Sequence, residues 1–153
     1  MVKALDEMEL PDHVGWRLWQ ANRAWVSAFV SAMRDAGHGW FTEARAGLIG
    51  QIPRSGIRQS TLIARVGTTK QAVQQALDGL EGEGIVQRVA DPADSRGKYV
   101  QLTEKGLRAL RDGDRIKTEI EKRYVTRLGP DRFREFMDTL RLLESEHQLE
   151  SER

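Results

Sequence analysis

Four polar residues, Gln71, Gln74, Gln75 and Asp78, recur at the i, i+3, i+4, i+7 spacing of one helical face. Three are glutamines, whose amides both donate and accept, so such a face can pair with the mixed donors and acceptors of nucleobase edges. Lys70, at the start of the same segment, can reach a phosphate or a guanine. A helix that serves only a core does not need three glutamines in one row, although a solvated polar face shows the same pattern. The opposite face, Val73, Ala76, Leu77 and Leu80, is apolar. Thr68-Thr69-Lys70-Gln71 predicts a capping box, with Thr68 as N-cap and Gln71 three residues on. The helix is expected to stop in Gly82-Glu83-Gly84.

The surrounding elements decide how that face is presented. Ser60 to Val66 reads as a short helix ending in a turn at Gly67. Ile85–Ala90 and Lys98–Leu102 are β-favouring runs separated by Asp91-Pro92-Ala93-Asp94-Ser95-Arg96-Gly97, which predicts a hairpin with an exposed tip. Val100 and Leu102 alternate cleanly; the inward face of the first strand stays open. Helix, turn, helix and hairpin between Gln59 and Leu102 make a winged helix-turn-helix. The first helix braces the second, whose polar face suits the DNA major groove. The hairpin tips the glutamine face from mere solvation toward duplex DNA.

Long helices flank this unit. Pro11 and Asp12 open one that runs to about Ala36 and stops at Gly37-His38-Gly39. Its apolar residues cover most of the circumference (Val14, Leu18, Trp25 and Ala32 on one side, Trp16, Trp19, Phe29 and Met33 widening it), so it must be buried on several sides. A second helix is expected from near Thr42 to before Pro53, with Ala46, Leu48, Ile49 and Ile52 apolar. Thr103 can cap another carrying Leu107, Leu110, Ile116, Ile120, Tyr124 and Leu128, with a bend expected near Gly113. Gly129-Pro130 breaks it and starts a last helix with Phe133, Phe136, Met137, Leu140 and Leu143 in one stripe. These stripes either close an intramolecular bundle or meet a second subunit; one short winged unit is too small to cover both sets, which favours a homodimer.

Composition narrows the function classes. Among 153 residues, Lys plus Arg is 24 and Asp plus Glu is 23, which excludes a chain that coats nucleic acid by net charge alone. Residues 53–106 hold eight basic and six acidic side chains, so the middle third is the net positive one. No long apolar run is present, and no secretory signal is read at the start, so a cytoplasmic protein without a membrane span is expected. Cysteine is absent, which removes disulfides, thiolate metal sites and thiol chemistry. His13, His38 and His147 are scattered, so no metal site is expected. No nucleophile elbow, zinc-protease motif or phosphate-binding glycine loop occurs, and neither an enzyme nor a cofactor is expected. A winged module that binds protein instead of DNA would need an apolar face where Gln71, Gln74 and Gln75 lie.

The chain resembles the MarR family of transcriptional regulators. The residues that carry the likeness are Gln59-Ser60-x-Leu62, Val66-Gly67, Val73 through Leu80-Glu81-x-x-Gly84-Ile85-Val86-x-Arg88, and Asp91-Pro92-x-Asp94-x-Arg96-x-x-x-Val100-x-Leu102-Thr103-x-x-Gly106. The last run meets the family signature D-x-R-x-x-x-V-x-L-T-x-x-G at every specified position. Gly15, Arg23 and Phe41-Thr42 extend the likeness more loosely. It departs at Arg58, where the family usually has a capping Thr or Ser. The resemblance implies a mainly α fold with a small β-hairpin wing, a single domain over 1–153. Within it, 11–40 and 107–153 would be dimerisation helices, and 41–106 the winged DNA-binding region. It implies a homodimeric regulator, a repressor, on a pseudo-palindromic double-stranded operator. Thr68, Thr69, Lys70, Gln71, Gln74 and Gln75 map onto the recognition-helix positions. Arg96 maps onto the wing-tip arginine that enters the minor groove, and Asp94 onto the aspartate that restrains it. The family often binds small aromatic or anionic effectors, for which His13, Trp16, Arg17 and Trp40 are the candidate lining.

Overall fold

The computed structural model describes residues 12–151. The expected helix opening at Pro11 lies outside them. In chain order the elements are α1 (Val14–Asp35), α2 (Glu43–Ile49), β1 (Ile57–Arg58), α3 (Gln59–Val66), α4 (Lys70–Gly82), β2 (Val86–Asp91), β3 (Asp94–Leu102), α5 (Glu104–Leu128) and α6 (Pro130–Ser151). The sheet is antiparallel with order β1-β3-β2. This is the expected mainly α architecture with a small wing. Among the described residues no helix is long and apolar enough to cross a membrane.

The core gathers where the long helices meet the winged unit. Phe29 and Met33 of α1, Leu48 of α2, Leu62 of α3, Leu77 of α4 and Ile116 of α5 are all buried there. Val73, Leu77 and Leu80 are buried on α4 while Gln71, Gln75 and Asp78 are exposed, so its amphipathic reading holds. By contrast, the first two turns of α1 and much of α6 find no cover among the described residues. Val14, Trp16, Leu18, Trp19, Phe136 and Leu142 are large, apolar and exposed.

Two local expectations are corrected, and two features add to the reading. The α4 cap is Thr69, whose Oγ1 accepts from the Ala72 amide at 3.2 Å, so the capping register is one residue later than the Thr68–Gln71 box. Adjacent threonines are equivalent to a spacing rule; α3 ends at Gly67 in the left-handed region (φ 67°), and Thr69, in extended backbone, is the one that meets the helix. The wing is longer than expected: both strands run through the residues read as its loop, leaving Pro92-Ala93 as the turn. A third strand, β1, pairs Ile57 with Val100 and Arg58 with Tyr99. Finally, α5 keeps its helical assignment through Gly113, which is buried against Phe29 and Met33 of α1.

Gly106 is required for a different reason. A Cβ there would overlap the Ile85 carbonyl oxygen, which already accepts from the Thr103 amide at 3.0 Å. The Thr103 hydroxyl caps α5 by accepting from the Gly106 amide at 3.1 Å and donates to the Gly84 carbonyl at 2.6 Å. The L-T-x-x-G run therefore welds the end of the wing to the start of α5.

Candidate nucleic-acid interface

α4 is held to the wing by one arginine. Arg88 of β2 donates from Nε to Glu81 Oε2 at 3.0 Å and from Nη2 to Asp78 Oδ1 at 2.6 Å, while its backbone N–H donates to Glu81 Oε1 at 3.0 Å. These bonds hold the Glu81 carboxyl below its ordinary pKa, the Arg88 side-chain hydrogen bond contributing most and partial burial opposing it. The two surfaces that would approach a nucleic acid are thus fixed relative to each other through Glu81 and Arg88.

Between α3, the start of α4 and the wing lies a cleft of about 280 Å³. Lys70, Gln74, Asp94 and Arg96, four of the residues singled out in the sequence, line it. Thr68, Thr69, Gln71 and Gln75 are exposed on the same end of α4 without lining the cleft. In the β2–β3 ladder the pairs Ala90↔Lys98 and Asp91↔Asp94 leave Ser95, Arg96 and Gly97 without partners on β2. Arg96 therefore projects from an irregular wing edge, exposed, and among the described residues its guanidinium makes no hydrogen bond or ion pair. Asp94 restrains it by another route than expected: Asp94 Oδ1 accepts from the Arg96 backbone amide at 3.0 Å. The carboxylate shapes the turn and leaves the guanidinium free.

Sequence reasoning passed over Arg58, Asp91 and Lys98 as site residues, though all three line the cleft. The one signal for Arg58 was its place where a capping Thr or Ser is usual. The structure shows no side-chain cap from Arg58; its Nε instead pairs with Asp91 Oδ2 at 2.7 Å.

A second concavity, about 470 Å³, lies between α1, α2 and α5 and is mostly apolar, lined by Trp25, Phe29, Met33, Trp40 and Leu110, with Lys117 beside them. Of the four candidate effector residues only Trp40 lines it. His13, Trp16 and Arg17 stand exposed at the start of α1, where Arg17 pairs with Asp12 and Trp16 stacks on Trp19. Proximity in sequence to an aromatic stripe did not carry them to the cavity, because α1 begins about three turns before Trp25, its first residue on the lining. The Trp40 indole N–H is buried without an acceptor among the described residues.

Residues 41–97 match the sequence model of the MarR family. The transcriptional regulator HosA of Escherichia coli O111:H- is 32% identical over 88 residues, which span 58% of this chain and 65% of that regulator, just under two thirds of its length. The solved transcriptional regulator PA4135 is 26% identical with a TM-score of 0.67, covering 88% of this chain and 98% of that one. The repressor CouR, solved bound to a 23-mer DNA duplex, is 23% identical with a TM-score of 0.72 over 90% of this chain and 99% of its own. Residues 41–97 thus match the MarR family model and fold as a winged helix-turn-helix, and the chain as a whole shares its fold with these solved regulators.

Proposed function

We propose that this chain is a homodimeric, sequence-specific DNA-binding transcriptional regulator of the cytoplasm, acting as a repressor. The observation that carries the reading is the convergence of Lys70, Gln74 and Arg96 on one cleft, a base-reading helix and a minor-groove arginine held in one frame by Glu81 and Arg88. Thr68, Thr69, Gln71 and Gln75 extend the α4 surface toward base edges and phosphates, and Asp94 presets the wing turn. The family match at 41–97 and the duplex bound by CouR support it. Residues 11–40 and 107–153 serve as dimerisation helices. Supporting this is an apolar groove of about 460 Å³ between α1, α5 and α6, lined by Leu18, Tyr124, Phe133, Phe136 and Met137, which a second copy would cover. A two-fold dimer places its recognition helices about 10 bp apart, or a near multiple, on a pseudo-palindrome.

The cavity at Trp40 suits a small aromatic anion as effector: it lies in the size range of small-ligand pockets. Lys117 at its edge meets a carboxylate.

Gel-shift titration against the chain's own upstream intergenic DNA and a scrambled duplex tests the proposal. Preferential, saturable binding of the intergenic DNA is expected; equal affinity for both refutes a specific regulator. Sedimentation of the free protein checks the dimer.

A further inference from the structure

Among the described residues Asp91 is the one charged side chain that is buried, with 7% of its surface exposed. Both its oxygens are used. Oδ1 accepts from the Ala93 amide at 2.9 Å and closes the wing turn, and Oδ2 pairs with Arg58 Nε at 2.7 Å. Arg58 comes from the far side of the sheet: it stands on β1, the edge strand opposite β2, at the residue before α3. Gly97 leaves the passage open, since a Cβ there would sit 3.3 Å from Asp91 Cβ and 3.4 Å from Oδ2. Arg96 is the neighbour of that glycine. One ion pair therefore ties the tip of the wing, where Arg96 projects, to the base of the helix-turn-helix.

We infer that Arg58 is a positioning residue: its ion pair with Asp91 latches the wing and so sets where Arg96 meets DNA. The inference rests on the DNA-binding reading above. Arg58 lines the same cleft as Lys70 and is half exposed, so a direct phosphate contact is the competing role. The energetics argue against it. Moving Arg58 to a phosphate would leave the buried Asp91 carboxylate without its cation, and a desolvated charge is costly to strand. The latch also accounts for the departure at position 58: a Thr or Ser would cap α3 but could not span the sheet to Asp91.

The test uses the full chain as Arg58→Gln, Asp91→Asn, Arg58→Lys and Arg96→Ala, with the two double variants carrying Arg96→Ala. In the free protein, amide exchange at residues 93–97 should quicken in Arg58→Gln and Asp91→Asn, and Arg58→Lys should restore much of the protection. On the preferred duplex at low salt, Arg58→Gln and Asp91→Asn should each weaken binding by about three- to ten-fold. In the Arg96→Ala background neither should weaken it further. An Arg58→Gln loss that persists in that background, or tighter binding by Asp91→Asn, would mean that Arg58 contacts phosphate, overturning the latch. Unchanged wing exchange overturns it as well. If the parent does not prefer its intergenic DNA, the regulator reading fails while the exchange result still decides the latch.

Discussion

Arg96→Ala separates DNA reading from folding. The side chain is exposed, its guanidinium is unpaired among the described residues, and the Asp94 carboxylate holds only its backbone, which alanine retains. The thermal midpoint should therefore hardly move, since surface substitutions of this kind stay within about 0.5 kcal/mol. On DNA the loss should be large and dependent on salt. Each arginine in a minor groove displaces counterions, with a slope near 0.9 per charge, so a dimer that loses two should show a slope shallower by about 1.8. Between about 50 and 200 mM salt, a four-fold range, the parent's advantage should then shrink by about twelve-fold. Fluorescence anisotropy with one labelled duplex at both salt concentrations, beside calorimetry of the free proteins, measures all three quantities. A variant that binds as tightly as the parent at both salts, or loses affinity with an unchanged slope, would refute the role given to the wing tip.

Gln74→Ala and Gln71→Ala should each relax base preference by about 1–3 kcal/mol in competition titrations against mismatched duplexes, whereas Lys70→Ala should weaken all sequences alike and flatten the salt slope. Equal effects of the three on preference and slope would contradict that division. Gly106→Ala should lower stability: helix propensity gains at most about 1 kcal/mol, but the overlap with the Ile85 carbonyl forces the α5–wing junction apart at about 1–3 kcal/mol. A denaturation midpoint that stays level or rises would show that the junction yields freely. Folding depresses the Glu81 pKa from its ordinary value of 4.5, so the contribution of its pair with Arg88 is complete above that value and is lost as pH falls through the lower, folded one. Glu81→Gln should accordingly flatten the acid limb of stability against pH, and an unchanged limb would place the acid sensitivity elsewhere.

Periodicity alone was enough to divide α4 into a core face and a glutamine face, because each side chain's direction follows from 3.6 residues per turn. The breaks at Gly67, Gly82-Glu83-Gly84 and Gly129-Pro130 were equally local, set by backbone preferences that glycine and proline carry with them. The order of elements, and with it the winged fold, follows from those two kinds of information. What depended on neighbours distant in sequence was not legible. Ile57 and Arg58 become a strand only because β3 offers them an edge; two residues carry no periodic signal of their own. The strands run through Asp91 and Asp94-Ser95-Arg96-Gly97 because ladder hydrogen bonds use the backbone, which turn-forming side chains do not forbid. Trp40 enters the cavity while Trp16 and Arg17 stay outside, since reach along α1 depends on where α2 and α5 pack against it. Arg58 and Asp91 are 33 positions apart and meet across a sheet, a juxtaposition that only the tertiary fold creates.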